Sequence, residues 1–181
     1  MTILTYIAFL RGINVGGNKK LSMGELREFL TELGFTKVQT VLQSGNVVFE
    51  SEERGTQELE IFLGEEIEQR FGLATEFVVR TPSEIVSVME RNPFPDEAIQ
   101  DPGHLLVLFM KSVPVPKDVE LLQASIVGRE VIHADGKHVY AIFPDGIGDS
   151  KLTSHLDRKL GKTWTGRNWN TVSKLAEMTK S

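Results

Sequence analysis

Cysteine is absent from all 181 positions, which excludes disulfides and thiolate metal sites and fits a reducing, cytoplasmic setting. No apolar run approaches the roughly 20 residues that cross a bilayer, so no membrane association is expected. The opening "MTILTYIAFLRG" carries no cationic segment ahead of its apolar run and no small-residue cleavage site after it, and it reads as a strand rather than a signal peptide. Positive charge is in deficit. Twenty Lys+Arg against 25 Asp+Glu give a net charge of −5, which argues against a general nucleic-acid coat.

What is present is ordinary globular material, 40% hydrophobic and 25% charged, enough for one domain or two small ones. Charge is unevenly spread. Residues 50–70 are strongly acidic, and residues 151–174 are basic with Asp157 as the lone acid. Both runs fit solvated helix faces.

The run Ile3 to Leu10 is short, β-rich and ends at glycines, so it predicts a strand. Ser22, with Glu25 three residues on, predicts a capped helix whose buried stripe is Met23, Leu26, Phe29, Leu30 and Leu33 and whose stop is Gly34. "KVQTVLQ" and "NVVFE" flank Ser44-Gly45 and predict a hairpin. A helix preceded by Thr56 and closed by Gly72, with Leu59, Phe62, Leu63, Ile67 and Phe71 on its buried side, and the strand "TEFVVR" complete β-α-β-β-α-β. A further helix begins at Pro82, and "NPFPDEAIQDPG" reads as a proline-rich linker. The pattern then repeats: strand "HLLVLFMK", helix "KDVELLQASIVG", and a hairpin "REVIHA"/"KHVYAIF" across Asp135-Gly136. A helix opened by Ser150 follows, then "KTWTG" as a closing strand and a last helix "RNWNTVSKLAEM". "FLRGINV" matches "FMKSVPV" at an offset of 100, and the hairpin turns match at 91, so the first half is nine residues longer between its first strand and its hairpin. The expected fold is α+β: two ferredoxin-like βαββαβ units with antiparallel sheets and an extra C-terminal helix. The expected organisation is 1–81 as the first half, 82–102 as helix and linker, and 103–181 as the second half with that helix.

The excess length coincides with "RGINVGGNKK", residues 11–20, which has three glycines, three cations and no acid. Gly12 and Gly17 have P-loop spacing, but Asn18 stands where the lysine belongs, so the Walker pattern fails, as does G-x-G-x-x-G. The matching stretch of the second half, "KSVPVPKD", is short, proline-stiffened and carries an acid. A long cationic connection kept in one copy only is a candidate binding loop, with Arg11, Lys19 and Lys20 as its cations. A second candidate is "TGRNWNT": Arg167 ahead of a helix capped by Asn168, with Trp169 available to stack. The ordinary alternative there is that Asn168 merely caps and Trp169 packs the core. Ser44 in "QSGNV" is not a nucleophile elbow. If Asp135-Gly136 is a two-residue turn, His133 faces His138, a pair that would still lack a third metal ligand.

The motifs "FLRGINVGGNKKLSMGEL", "SGNVVF" and "KLTSHLDRKLG…TGRNWNTVSKL" together resemble the bacterial family of domain of unknown function 1697 over the full length. The resemblance implies a cytoplasmic bacterial protein with an α/β fold. It adds weight to Arg11, Gly12, Asn14, Gly16, Gly17, Ser44, Gly45, Asn46, Arg167, Asn168 and Trp169, and it implies no activity and no cofactor. Two function classes follow from the residues. One is a binding protein for a phosphate-bearing ligand at the 11–20 loop. The other is an enzyme on a small anionic metabolite, with the cations as clamps. A single-stranded RNA-binding module is the weaker form of the first, since the candidate sheet aromatics are only Tyr6, Phe9 and Phe49.

Overall fold

The computed structural model describes residues 1–12, 21–42 and 45–180. Tyr6–Leu10 and the facing Phe77–Arg80 mark the constraint on the first sheet, because every side chain in both stretches is buried. Alternate residues of a strand point to opposite faces, so an unbroken apolar run signals a strand covered on both. The strands are β1 (Ile3–Leu10), β2 (Thr36–Val41), β3 (Asn46–Glu52) and β4 (Phe77–Arg80). They form an antiparallel sheet in the order β2-β3-β1-β4. Between them lie α1 (Met23–Glu32) and α2 (Thr56–Phe71). Tyr6, Ala8, Leu10, Val47, Phe49, Phe77 and Val79 face these helices and pack with Leu26, Phe29, Leu30, Leu59, Leu63 and Ile67. Burial of each such side chain stabilises by about 1.5–3 kcal/mol.

The second set repeats the first: β5 (Leu105–Phe109), α5 (Pro116–Ala124), β6 (Val131–Asp135), β7 (His138–Ile142), α6 (Leu152–Leu160) and β8 (Thr165–Asn168). Its sheet order, β6-β7-β5-β8, is the same order again. The duplicated ferredoxin-like α+β fold is therefore present, followed by the C-terminal helix α7 (Trp169–Met178). Ahead of β5 come α3 (Pro82–Glu90) and α4 (Pro95–Gln100), then a 3-10 turn at Pro102–His104. The proline-rich stretch thus contains a short helix, with Pro95 at a first-turn position where its missing N–H costs nothing. By contacts the chain divides into residues 1–86 with 175–181, and residues 87–174.

The helix signals act as the sequence implies. Ser22 and Glu25 form the full capping box, and Gly72 ends α2 in the left-handed region at φ 66°. One register differs. Asp135 pairs with His138, and the reversal is Gly136-Lys137, not Asp135-Gly136. Positive φ occurs at Gly136 and not at Lys137, the pattern of a II′ turn with glycine first rather than of I′. The true correspondence follows from the central strands: Phe9 faces Asn46 as Phe109 faces His138. The hairpins therefore match at an offset of 92 (46 to 138), and the first half is one residue less elongated than the sequence alignment gives.

At the edge of the first sheet, Val79 N–H donates to Glu60 Oε2 at 2.9 Å, and Arg80 Nη1 lies 4.0 Å from the same oxygen. Both charged side chains are buried. Burial pulls the Arg80 pKa down, while Glu84 and Glu60 oppose that. Removing one member of a buried charged set strands the other, so Glu60→Ala is expected to lower unfolding stability by about 3–5 kcal/mol in urea titration. Glu60→Gln, whose amide oxygen still accepts the Val79 N–H, should cost less. A Glu60→Ala loss under about 1 kcal/mol would show that the edge strand does not depend on this carboxylate.

Candidate functional site

The 11–20 connection leaves the first sheet from a fixed mount. Leu10 N–H donates to Gly45 O at 2.9 Å, and Arg11 N–H donates to Glu76 O at 3.0 Å. Thr75 Oγ1 donates to Arg11 O at 2.6 Å. Arg11 is held by its backbone, with its side chain half-buried, and Gly12 follows at φ 67°. A Cβ at Gly12 would touch nothing, so glycine is needed there for its left-handed backbone rather than for space. Leu21, directly before the capping box, is buried. That box has a chemical consequence. Glu25 N–H donates to Ser22 Oγ, and Ser22 N–H donates to Glu25 Oε1. Two donors of the α1 N-terminus are thereby engaged, and a carboxylate stands beside them.

Gly45, directly ahead of β3, borders the same mount, because its O receives the Leu10 N–H. Asn46 is fully buried and its Nδ2 donates to Val41 O at 2.9 Å, so it closes the β2–β3 hairpin. The structure thus brings together Arg11, Gly12, Gly45 and Asn46 at one end of one sheet. Asn14, Gly16, Gly17, Lys19 and Ser44 lie outside the described residues.

The "TGRNWNT" candidates occupy the other unit. Arg167 is in β8 opposite Val107, and its Nη1 donates to Thr165 Oγ1 at 2.7 Å and Gly166 O at 2.9 Å. It is 6% exposed, and burial pushes its pKa down to about 10, which still leaves it charged at neutral pH. Asn168 Oδ1 accepts the Thr171 N–H at 3.1 Å and so caps α7, while Trp169 is buried. Arg167 matches Arg80 by position, since Ile7 and Val107 are equivalent in the two central strands. Each arginine donates to the carbonyl of the residue before it. The duplication therefore includes a buried cation in the last strand of each unit, a feature that repeat alignment could have found had the two closing strands been compared.

The histidine pairing does not occur. His133 faces Tyr140, and His138 faces Asp135, because the turn is one residue later than a two-residue Asp-Gly turn would put it. Among the described residues no group of three or more His, Asp or Glu side chains is arranged to hold a metal ion. What the shifted register assembles is a polar cluster. Arg91 grips Asp135 through Nε (2.6 Å) and Nη2 (2.9 Å) and holds its pKa below the usual carboxylate range. The His138 ring meets Phe109 edge-on. Tyr140 donates to Val88 O at 2.7 Å, and burial, with the Asp135 charge beside it, pushes its pKa up to about 12.

Two ferredoxin-like units, the first bearing a long glycine- and lysine-containing connection at the end of its central strand, define the molecule. The chain belongs to the family described as protein of unknown function (DUF1697), whose model matches residues 3–140. That span includes the loop mount and the β2–β3 hairpin, ends within β7, and stops ahead of α6, β8 and α7. Among solved structures, the conserved bacterial protein SP0830 from Streptococcus pneumoniae is similar at 25% identity and a TM-score of 0.77, over 99% of this chain and 100% of that one. No curated protein matches. No helix among the described residues is long and apolar enough to cross a membrane.

The two tyrosines make the Tyr140 environment measurable. Its folded pKa lies above the unfolded value near 10, so its contribution to stability is fully present below about pH 10 and is lost as pH rises through about 12. Absorbance titration of the native protein should show one phenol ionising near pH 12, and Tyr140→Phe should remove that step. A native Tyr140 ionising at pH 10 would contradict the buried hydrogen bond to Val88.

Proposed function

We propose that this protein is a cytoplasmic binding protein whose 11–20 connection takes an anionic, phosphate-bearing ligand. The observation that carries the reading is the comparison of the two units. Their sheets share one topology and their central strands one register. Yet residues 11–22 connect β1 to α1, where residues 110–115 suffice between β5 and α5. The added chain is glycine-rich, holds Lys19 and Lys20, and follows Arg11. A rigid mount with an elaborated cationic loop is how scaffolds present ligand-binding groups.

The capping box makes the α1 amides poor partners for an anion, so the loop's own cations and amides are the donors under this reading. That favours the millimolar end of the scale, about 4 kcal/mol. The RNA form is less supported: Tyr6, Phe9 and Phe49 are all buried, so none offers a face on which a base stacks.

A thermal-shift screen of nucleotides and phosphorylated metabolites tests the proposal. A ligand at 100 times its Kd stabilises by about 2.7 kcal/mol. Replacing Arg11 and Lys19 together by alanine should abolish most of that shift and flatten its salt dependence. The melting temperature without ligand should stay close to the parent's, because the core positions Met23, Leu26 and Leu30 are untouched. A double variant that binds the hit as tightly as the parent sinks the idea.

A further inference from the structure

Each four-stranded sheet has two edges, and three of these four edges carry a device that blunts pairing with another strand. On β2 it is the bulge between Thr36 and Gln39, with Lys37 at φ 49°. On β4, Val79 N–H donates to Glu60 Oε2 and Val79 O accepts from Arg80 Nη1. On β8, Gly166 O accepts from Arg167 Nη1. The fourth edge, β6, is plainer. It pairs with β7 from Val131 to Asp135 without a register shift, and it contains no proline, lysine or arginine. Its one carboxylate, Asp135, lies at the hairpin end and is held by Arg91. Its outer rim is met by Gln123, whose Nε2 approaches Ile132 O at 3.5 Å, the far limit of a hydrogen bond. That contact shows which groups point outward. Backbone directions alternate along a strand, so the N–H and C=O of Ile132 and Ala134 face away from β7. The flanking side chains Val127 (81%) and Val131 (46%) are exposed, as is His133.

We propose that β6 is the interface through which two copies of this chain associate, antiparallel about a two-fold axis at His133. A second copy is the occupant that the strand itself specifies. Turned about that axis, Ile132 of each copy meets Ala134 of the other, and the outward N–H and C=O groups of each such pair bond to one another. Val131 meets Asp135, so no like charges oppose each other within the paired strands except at the axis, where His133 meets its own copy. Moving the axis to Ile132 would leave Ala134 and Asp135 beyond the other copy's strand. Imidazoles are uncharged at about pH 8 and gain charge towards about pH 5.5, which sets two like charges together at the axis. Asp135, on the same side of the strand, already answers Arg91, and Tyr140, opposite His133 on β7, donates to Val88 O, so neither group offsets that repulsion. Five residues make a small contact, and the Kd should be on the order of 0.1 mM at about pH 8. The proposal is independent of the reading of the 11–20 connection.

The full chain is followed by sedimentation equilibrium over a range of protein concentration, at constant ionic strength and at about pH 8 and about pH 5.5. A dimer is expected at the higher pH, with amide exchange at Ile132 and Ala134 slowing as concentration rises. At the lower pH the dimer should be about fivefold weaker. His133→Lys should weaken it to a similar extent at the higher pH. His133→Thr should keep the dimer and remove its pH dependence, a result that misfolding does not produce. A chain that stays monomeric at about 1 mM, a dimer whose amide protection lies on other strands, or a His133→Thr dimer that responds to pH as the parent does would overturn the proposal.

Discussion

Burial of both faces of each central strand governs the rest of the structure. Tyr6 to Leu10 and Leu105 to Phe109 are buried at every residue, so neither stretch presents a side chain to solvent. A ferredoxin-like sheet that bound a ligand on its open face would need polar or aromatic groups exposed there. Exposed polar groups are thereby left to the strand ends, where the backbone leaves the sheet. Both mounts, Leu10 with Gly45 and Met110 with Lys137, lie at such ends.

The same constraint explains where the buried charges are. Arg80 and Arg167 sit in strands β4 and β8, at an edge of their sheets, and each spends part of its guanidinium on its own strand's carbonyls. An edge strand has N–H and C=O groups that no neighbouring strand satisfies. Glu60 answers one of them at Val79. At the opposite edge, β2 is irregular between Thr36 and Gln39, with Lys37 at φ 49° and paired to Glu50. A bulge and an exposed lysine are ordinary protections against edge-to-edge pairing.

Much of the architecture was legible because its signals are local. Continuous apolar runs marked the two-faced strands, Ser22 with Glu25 marked a helix start, and Gly34, Gly72 and Gly161 marked helix stops. What was not legible depends on partners distant in sequence. Asp-Gly favours a turn centred on those two residues. Here Asp135 is instead the closing residue of β6, pinned by Arg91 from 44 positions away. Glu60 was submerged in an acidic run that reads as solvated. Its burial is visible only in its spacing to Gly64, Ile67 and Phe71 on one side of α2, since charge normally outweighs such a hint. For the candidate site, Asn168 and Trp169 had two readings, cap and core or ligand contacts, and the hydrogen bond to Thr171 and the burial of Trp169 favour the first.

The duplication turns these details into an argument about divergence. Both units kept the sheet order, the mount and a buried arginine, which are the parts that stabilise the fold. They differ where stability asks for nothing: in the connection after the central strand. In the first unit that connection is long and its helix start is closed off by the Ser22–Glu25 box. In the second, α5 opens at Pro116 with no side-chain cap, and Asp118 stands in its first turn. A carboxylate thus sits at the start of both helices, Glu25 in one and Asp118 in the other, and satisfies the helix dipole locally. Under the proposed reading of the first unit, an anion would be held by groups added beyond the helix, in the 11–20 connection, rather than by the helix start itself. Affinity under that reading would come from side-chain charge and fall with salt, unlike phosphate anchored by backbone amides in P-loop folds.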